Sequence, residues 1–247
     1  MKKIFVVIPT FNEVENLPQI LGQLFTLSFD KEQPCQMSVL VVDDNSPDGT
    51  GELVEKLRER YPNLEVLHRE KKEGLGRAYL AGFGYVLTKG ADLVVEMDAD
   101  GSHQVADLHR LIDAADGVDV VVGSRYVKGG SVDYPWYRVL ISKLANNFAN
   151  FILRLGVKDA TSGFKAYRRG VAELFLKDDF SSSGYSFQVE TLLRAKRAGF
   201  KIKEVPITFV DRTKGKSKMR FKEIWEGSWR VLRLGFSAKG GSASGGR

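Results

Sequence analysis

A chain of 247 residues, 43% hydrophobic and 28% charged, has the size and balance of a soluble globular protein of one large domain. No stretch approaches the roughly 18 apolar residues of a membrane span. The single cysteine, Cys35, excludes an internal disulfide and reads as a loop thiol in a reducing compartment. A formal net charge of +6 predicts an acidic partner, whether nucleic acid, anionic lipid or a phosphorylated substrate.

Met1-Lys2-Lys3-Ile4 enters a strand at once, without the h-region and cleavage site of a signal peptide, so a cytoplasmic protein is expected. Residues 3–8 form a first buried strand. Pro9-Thr10-Phe11-Asn12-Glu13 breaks it, and Asn12 can cap a helix over 13–25. A polar loop over 26–36 leads to a second buried strand at 38–42. That strand ends in Asp43-Asp44-Asn45-Ser46-Pro47-Asp48-Gly49-Thr50, dense in turn residues. Thr50 starts a helix that stops near Tyr61-Pro62, followed by a short strand at 64–67. Gly74 and Gly76 precede a helix over 77–88, but no complete Gly-x-Gly-x-x-Gly follows a strand, which argues against a dinucleotide-binding fingerprint.

The apolar run Leu93-Val94-Val95-Glu96-Met97 then ends in Asp98-Ala99-Asp100. A buried parallel strand presents its ligands at its carboxyl end. Extended backbone with i, i+2 spacing would point both carboxylates the same way. A hard cation such as Mg2+ or Mn2+ relieves their repulsion and completes its shell with water and substrate phosphates. The bland alternative is an acidic turn before the next helix. His103 nearby reads as a helix-start or supporting residue rather than a ligand, because hard cations prefer oxygen. A helix over 105–115 and a strand at 118–122 follow. Alternating strands and helices predict an α/β fold, a mainly parallel sheet with helices on both faces. If the strands ending at Val42 and Met97 are neighbours, their acidic turns line one crevice.

In the second half, Gly123-Ser124-Arg125-Tyr126 closes the 118–122 strand and residues 127–137 are loop-like. A helix over 138–155 carries Arg138 and Ser142 one turn apart. A polar turn, Asp159 to Arg168, runs into a short strand. Gly184 opens a helix to Ala198, in which Gln188 and Glu190 are as well explained as helix-start residues as by a site role. Residues 202–210 read as a strand that Pro206 places at an edge. The basic loop Asp211 to Lys218 lacks the aromatic interleaving of a single-strand nucleic-acid platform. A last helix over 220–235, with Trp225 and Trp229 expected in the core, precedes a Gly/Ser-rich tail at 237–247 expected to be disordered.

Taken in order, Pro9–Glu13, Val42–Thr50, Met97–Asp100, Gly123–Tyr126, the Thr-Ser-Gly-Phe-Lys turn at 161–165, and Asp211-Arg212 with Ser217-Lys218 form a set. The set resembles the family 2 inverting glycosyltransferases with the GT-A fold. Within them it resembles the short-form mannose synthases acting on polyprenyl (dolichyl) phosphates. The likeness spans about residues 3–220. It implies one glycosyltransferase domain over 1–236, with a nucleotide-binding half to about 126 and an acceptor half beyond.

The resemblance also implies roles. Pro9, Phe11, Glu13, Val42 and Asp44 would hold the guanosine of GDP-mannose. Asp98 and Ala99 would meet the ribose or diphosphate, and Asp100, with Ser102 nearby, would hold Mg2+ or Mn2+. Arg125, Lys165, Arg212 and Lys218 would bind donor or acceptor phosphates, and Arg138 and Ser142 the acceptor phosphate. Phe11 stands where the family often has Tyr, Ser102 where some members use Gln, and Lys165 replaces a frequent Arg, keeping charge but losing bidentate geometry. The implied reaction transfers mannose to a polyprenyl or dolichyl monophosphate with inversion. The enzyme would be peripheral at the cytosolic face of a membrane, aided by a membrane-spanning partner, with no nucleic acid involved. UDP-glucose or another nucleotide sugar is the alternative donor. A non-catalytic nucleotide- or membrane-binding subunit is the alternative class.

Overall fold

The structure, a computed structural model, describes residues 1–28, 35–178, 180, 184–211 and 229–235. Among these, seven strands form one sheet in the order β3-β2-β1-β4-β7-β5-β8. β1 (Lys2–Thr10), β2 (Cys35–Asp43), β3 (Leu64–His68) and β4 (Leu93–Glu96) run parallel, with β1 between β2 and β4. β5 (Val120–Ser124) and β8 (Ile202–Pro206) are parallel to each other. β7 (Lys165–Arg168) lies between β4 and β5, antiparallel to both. The second half of the chain therefore inserts a strand into the sheet begun by the first.

Strand alternation sends β1 side chains to opposite layers. Phe5 and Val7 join the core beneath α3 (Leu75–Thr88), α6 (Arg169–Lys177) and α7 (Tyr185–Arg197). Ile4, Val6 and Ile8 join the core beneath α1 (Leu17–Thr26) and α4 (Leu108–Ala114). Burying each such side chain contributes about 1.5–3 kcal/mol. α2 (Thr50–Arg58) adds Val54 to the second layer. α3 lies so close to the sheet that a Cβ on Gly82 would sit 2.5 Å from a Val7 methyl.

Several elements depart from the sequence reading. The first helix begins at Leu17, not at 13, because Asn12 takes a left-handed conformation (φ 62°) and turns the chain. Asn16 flanks that helix, with Pro18 in its first turn. The helix expected at 105–115 opens as a 3-10 turn, Val105–Asp107. Cys35 is the first residue of β2 rather than part of a loop.

The 127–137 stretch contains β6 (Ser131–Asp133), paired in parallel with β9 (Thr208–Val210). The expected 202–210 strand is thus two strands in two sheets, divided at Pro206. Pro206 does end an edge strand, as its missing N–H requires. α5 spans Trp136–Leu153. Of the final helix, residues 229–235 are described and helical. Trp229 is exposed (60%), contrary to the expectation that it is core, and Trp225 lies outside the described residues. Among the described residues no helix is long and apolar enough to cross a membrane.

Candidate active site

The turns after β1 and β2 are built as one unit. The Asp43 carboxylate accepts from Thr10 Oγ1 (3.3 Å), Ser46 Oγ (2.5 Å) and the Ser46 N–H (3.2 Å). Ser46 Oγ in turn accepts the Asn12 N–H (3.1 Å), and Thr50 Oγ1 accepts the Glu13 N–H (3.1 Å). Asp48 accepts from Thr50 on one oxygen and from the Val14 N–H on the other, which holds its carboxyl below the usual range although burial acts the other way. Much of the Asp-Asp-x-Ser-Pro-Asp-Gly-Thr signature therefore braces two loops, leaving Asp44 to line the cleft they border.

These loops form one wall of a cleft of about 230 Å3 at the carboxyl ends of β1, β2 and β4. Pro9, Phe11, Glu13, Asp44, Asp98, Ala99 and Asp100 line it, together with Thr10, Lys72, Leu75 and Ala78. The two acidic turns are not neighbours, because β1 lies between their strands; the cleft spans it. Burial raises the Asp44 carboxyl above its ordinary value, opposed by Arg69, whose Nη1 donates to it at 2.5 Å. Arg69 also donates to Glu73 (2.7 Å), which fixes the loop between β3 and α3 against the cleft. Lys72, from that loop, places Nζ 3.9 Å from the centre of the Phe11 ring. Sequence reading missed Lys72. Its signal is its place in the turn just before Gly74 and Gly76.

At the far wall, Asp98 follows β4 after Met97 and Asp100 lies in a turn that begins at Ala99, with Gly101 at φ 76°, rather than both in a strand. Both still reach the cleft. Tyr79 Oη donates to Asp98 Oδ1 (3.2 Å), and a Cβ on Gly163 would stand 3.3 Å from Asp98 Oδ2, so the 161–165 turn packs directly against this carboxylate. The Asp98 N–H donates to His103 Nδ1 (3.1 Å). His103 is buried, which lowers its pKa, and its ring stacks on Phe164. With Nδ1 accepting, the proton of the neutral ring sits on Nε2, so His103 holds the turn rather than a metal.

Asp100 Oδ1 accepts the Ser102 N–H (2.9 Å), and the buried Ser102 hydroxyl has no hydrogen-bond partner. Among the described residues no group of three or more His, Cys, Asp or Glu could enclose a metal. Two carboxylates with an unpartnered hydroxyl suit a hard cation that keeps water and substrate oxygens in its shell.

Other expected site residues lie elsewhere. Val42 is fully buried beneath α3 and does not line the cleft. Lys165 is also fully buried, opposite Glu96 in the β4–β7 register. Its Nζ donates to Gln188 O (2.8 Å), Gln188 Oε1 (2.6 Å) and Thr191 Oγ1 (3.2 Å). It is not among the residues that line the cleft. Burial lowers the Lys165 pKa and raises that of Glu96, each opposed by the other's charge. Gln188 and Glu190 are buried too.

Arg125 makes a bidentate pair with buried Asp159 (both 2.7 Å) and donates to Thr161 (3.0 Å). Burial alone would lower its pKa; Asp159 holds it above the ordinary value. Arg138 donates to Asp211 (3.0 Å), and Ser142 Oγ accepts from Tyr126 (2.7 Å). Asn146, one turn further along α5, donates to Thr161, so this helix face meets the 159–165 turn. Arg212 and Lys218 lie outside the described residues.

The model of glycosyl transferase family 2 matches residues 5–175. The chain belongs to that family. Over 96% of its length it is 46% identical to a polyprenol monophosphomannose synthase of Mycolicibacterium smegmatis, covering 89% of that protein. It is 43% identical to an undecaprenyl-phosphate mannosyltransferase of Micrococcus luteus, covering 96% of each. Among solved structures it is similar to glucosyl-3-phosphoglycerate synthase from Mycobacterium tuberculosis in complex with Mn2+, UDP and product. The TM-score is 0.65 at 20% identity, covering 99% of this chain and 82% of that one. At that identity the likeness establishes the fold, the GT-A-like α/β arrangement of family 2.

Proposed function

We propose that this family 2 enzyme transfers mannose from GDP-mannose to a polyprenyl (dolichyl) monophosphate, with inversion at the anomeric carbon. The observation that carries the reading is the cleft at the ends of β1, β2 and β4, in which Asp44 and Asp98–Asp100 converge. The names of near-full-length relatives support the sugar and the acceptor. Pro9, Phe11, Glu13 and Asp44 hold the nucleoside, and Asp98 and Ala99 face the diphosphate. Asp100 and Ser102 hold Mg2+ or Mn2+, which when bound supplies positive charge to the leaving diphosphate.

A lipid monophosphate has a second pKa near 6, as in phosphoserine, and is largely dianionic at neutral pH. It needs no strong general base, consistent with a buried, engaged His103. Arg138 and Ser142, on α5 upstream of the Asn146 contact with Thr161, receive this phosphate. Arg125, clamped by Asp159, shapes the 159–165 turn. Offered GDP-mannose and UDP-glucose labelled in the sugar, with a polyprenyl phosphate and Mg2+ or Mn2+, the protein should move label into the organic phase from GDP-mannose. Transfer from UDP-glucose instead would replace the donor while keeping the reaction class.

Arg212 and Lys218 are assigned from sequence to the donor diphosphate. Alanine at either should lower kcat/KM at least about tenfold, about 1.4 kcal/mol. Wild-type kinetics in both variants would leave the loop a solvated basic face.

The acceptor's chain resides in a bilayer, and α5 offers a surface for one. Trp136, Leu140 and Leu144, at i, i+4 and i+8, are all at least half exposed. Peripheral contact through this face is proposed at the cytosolic leaflet, where the soluble donor is available. The double variant Leu140→Glu/Leu144→Glu should fold normally yet lose most co-sedimentation with anionic liposomes. Unchanged co-sedimentation would remove α5 from the membrane contact.

A further inference from the structure

The cleft is lined by four carboxylates, Glu13, Asp44, Asp98 and Asp100, and among its described lining residues by one cationic side chain, Lys72. Lys72 is exposed and belongs to the loop between β3 and α3, so it serves no core. Its Nζ lies over the Phe11 ring at 3.9 Å. It also lies close enough to Asp44 to favour that carboxylate's charged form.

Position along the sheet decides what Lys72 meets. The order β3-β2-β1-β4 puts the loop after β3 three strand spacings from Asp98, which follows β4. At about 4.8 Å per spacing the root of the loop is about 14 Å away, and the Lys72 side chain reaches back from it to Phe11, which follows β1. If Asp98 and Asp100 face the diphosphate, the nucleobase lies toward β2 and β3, beside the Phe11–Lys72 pair. An ammonium has three donors and no acceptor. It can bind a base carbonyl oxygen and finds no acceptor in an exocyclic amino group.

We propose that Lys72 reads a carbonyl oxygen on the donor's nucleobase, so that the cleft selects oxo-bases over their amino counterparts. The proposal rests on the nucleotide-sugar reading of this cleft. It adds a specificity residue whose ammonium the Phe11 ring holds in the cleft.

Calorimetric titration of the full chain with Mg2+ and matched nucleoside diphosphates tests it. Inosine and adenosine diphosphates differ at the 6-oxo or 6-amino group, and uridine and cytidine diphosphates at the 4-position; guanosine diphosphate is included. Wild type should bind the oxo member of its preferred pair at least about tenfold tighter, the scale of one hydrogen bond to a charged group. Lys72→Met should bring the pair to within about twofold, and Lys72→Arg should retain part of the preference. Equal weakening of all five nucleotides by Lys72→Met would mean a phosphate contact and overturn the proposal. So would an unchanged preference, or none in wild type. Preference for the pyrimidine pair would defeat the guanosine reading while still testing Lys72 on that pair. Binding of none of the five would remove both.

Discussion

Asp100→Asn should fold like the wild type and lose most metal-dependent turnover. The substitution is nearly isosteric, so the turn geometry can persist with the side-chain oxygen still accepting the Ser102 N–H. What it removes is a full negative charge where the fold otherwise offers one further carboxylate, Asp98, and one hydroxyl. Losing a ligand that places charge against the leaving diphosphate should cost several kcal/mol in the transition state, of order a hundredfold or more in kcat. Steady-state kinetics across a Mg2+ and Mn2+ titration checks this. A kcat within about threefold of wild type at saturating metal would take Asp100 out of the metal site.

The second large effect concerns stability. Lys165→Met should destabilise the fold by about 1–3 kcal/mol or more, because it leaves buried acceptors on Gln188 and Thr191 unmet and removes the charge opposite Glu96. Lys165 Nζ donates to Gln188 and Thr191, so it acts on the buried Glu96 through its charge, which favours the ionised carboxylate there. Adding Glu96→Gln to Lys165→Met should recover part of the loss. Urea denaturation of the two single variants and the double variant measures the coupling.

A pH dependence follows with a definite sign. Burial raises the Glu96 carboxyl from 4.5 to about 7. The folded state therefore holds a proton that the unfolded chain has released. The Glu96 contribution to stability is fully present below about pH 4.5 and is lost as pH rises through about 7. Relative to Glu96→Gln, the wild type should lose stability across that window. A constant difference between the two would show that Glu96 does not titrate there.

The parts legible in the sequence were those written in local pattern. Apolar runs at 3–8, 38–42 and 93–97 became strands because nothing but a buried parallel sheet accommodates them. The turns after them exposed Phe11, Glu13, Asp44 and the Asp98–Asp100 pair, and these do converge. What stayed hidden depended on tertiary placement. β7 has four residues and begins with a lysine, a residue almost never buried unless paired. Its partner Glu96 was visible in the same sequence, but their cross-strand register was not. β6 and β9 are three residues each, below the length at which alternation carries a signal. Asp159 pairs with Arg125 across 34 positions, a partner that local pattern does not supply. Lys72 and Tyr79 reach Phe11 and Asp98 from separate elements, contacts that no spacing encodes.

The reaction we propose is one displacement, in which an oxygen of the lipid phosphate attacks the mannose anomeric carbon from the side opposite the departing diphosphate. Nuclear magnetic resonance of the purified lipid product, reading the one-bond carbon–hydrogen coupling at the anomeric position, reports the outcome directly. A β-mannosyl phosphate is the predicted product from the α-linked donor. An α-mannosyl phosphate, or free mannose in place of a lipid-linked product, would contradict the account.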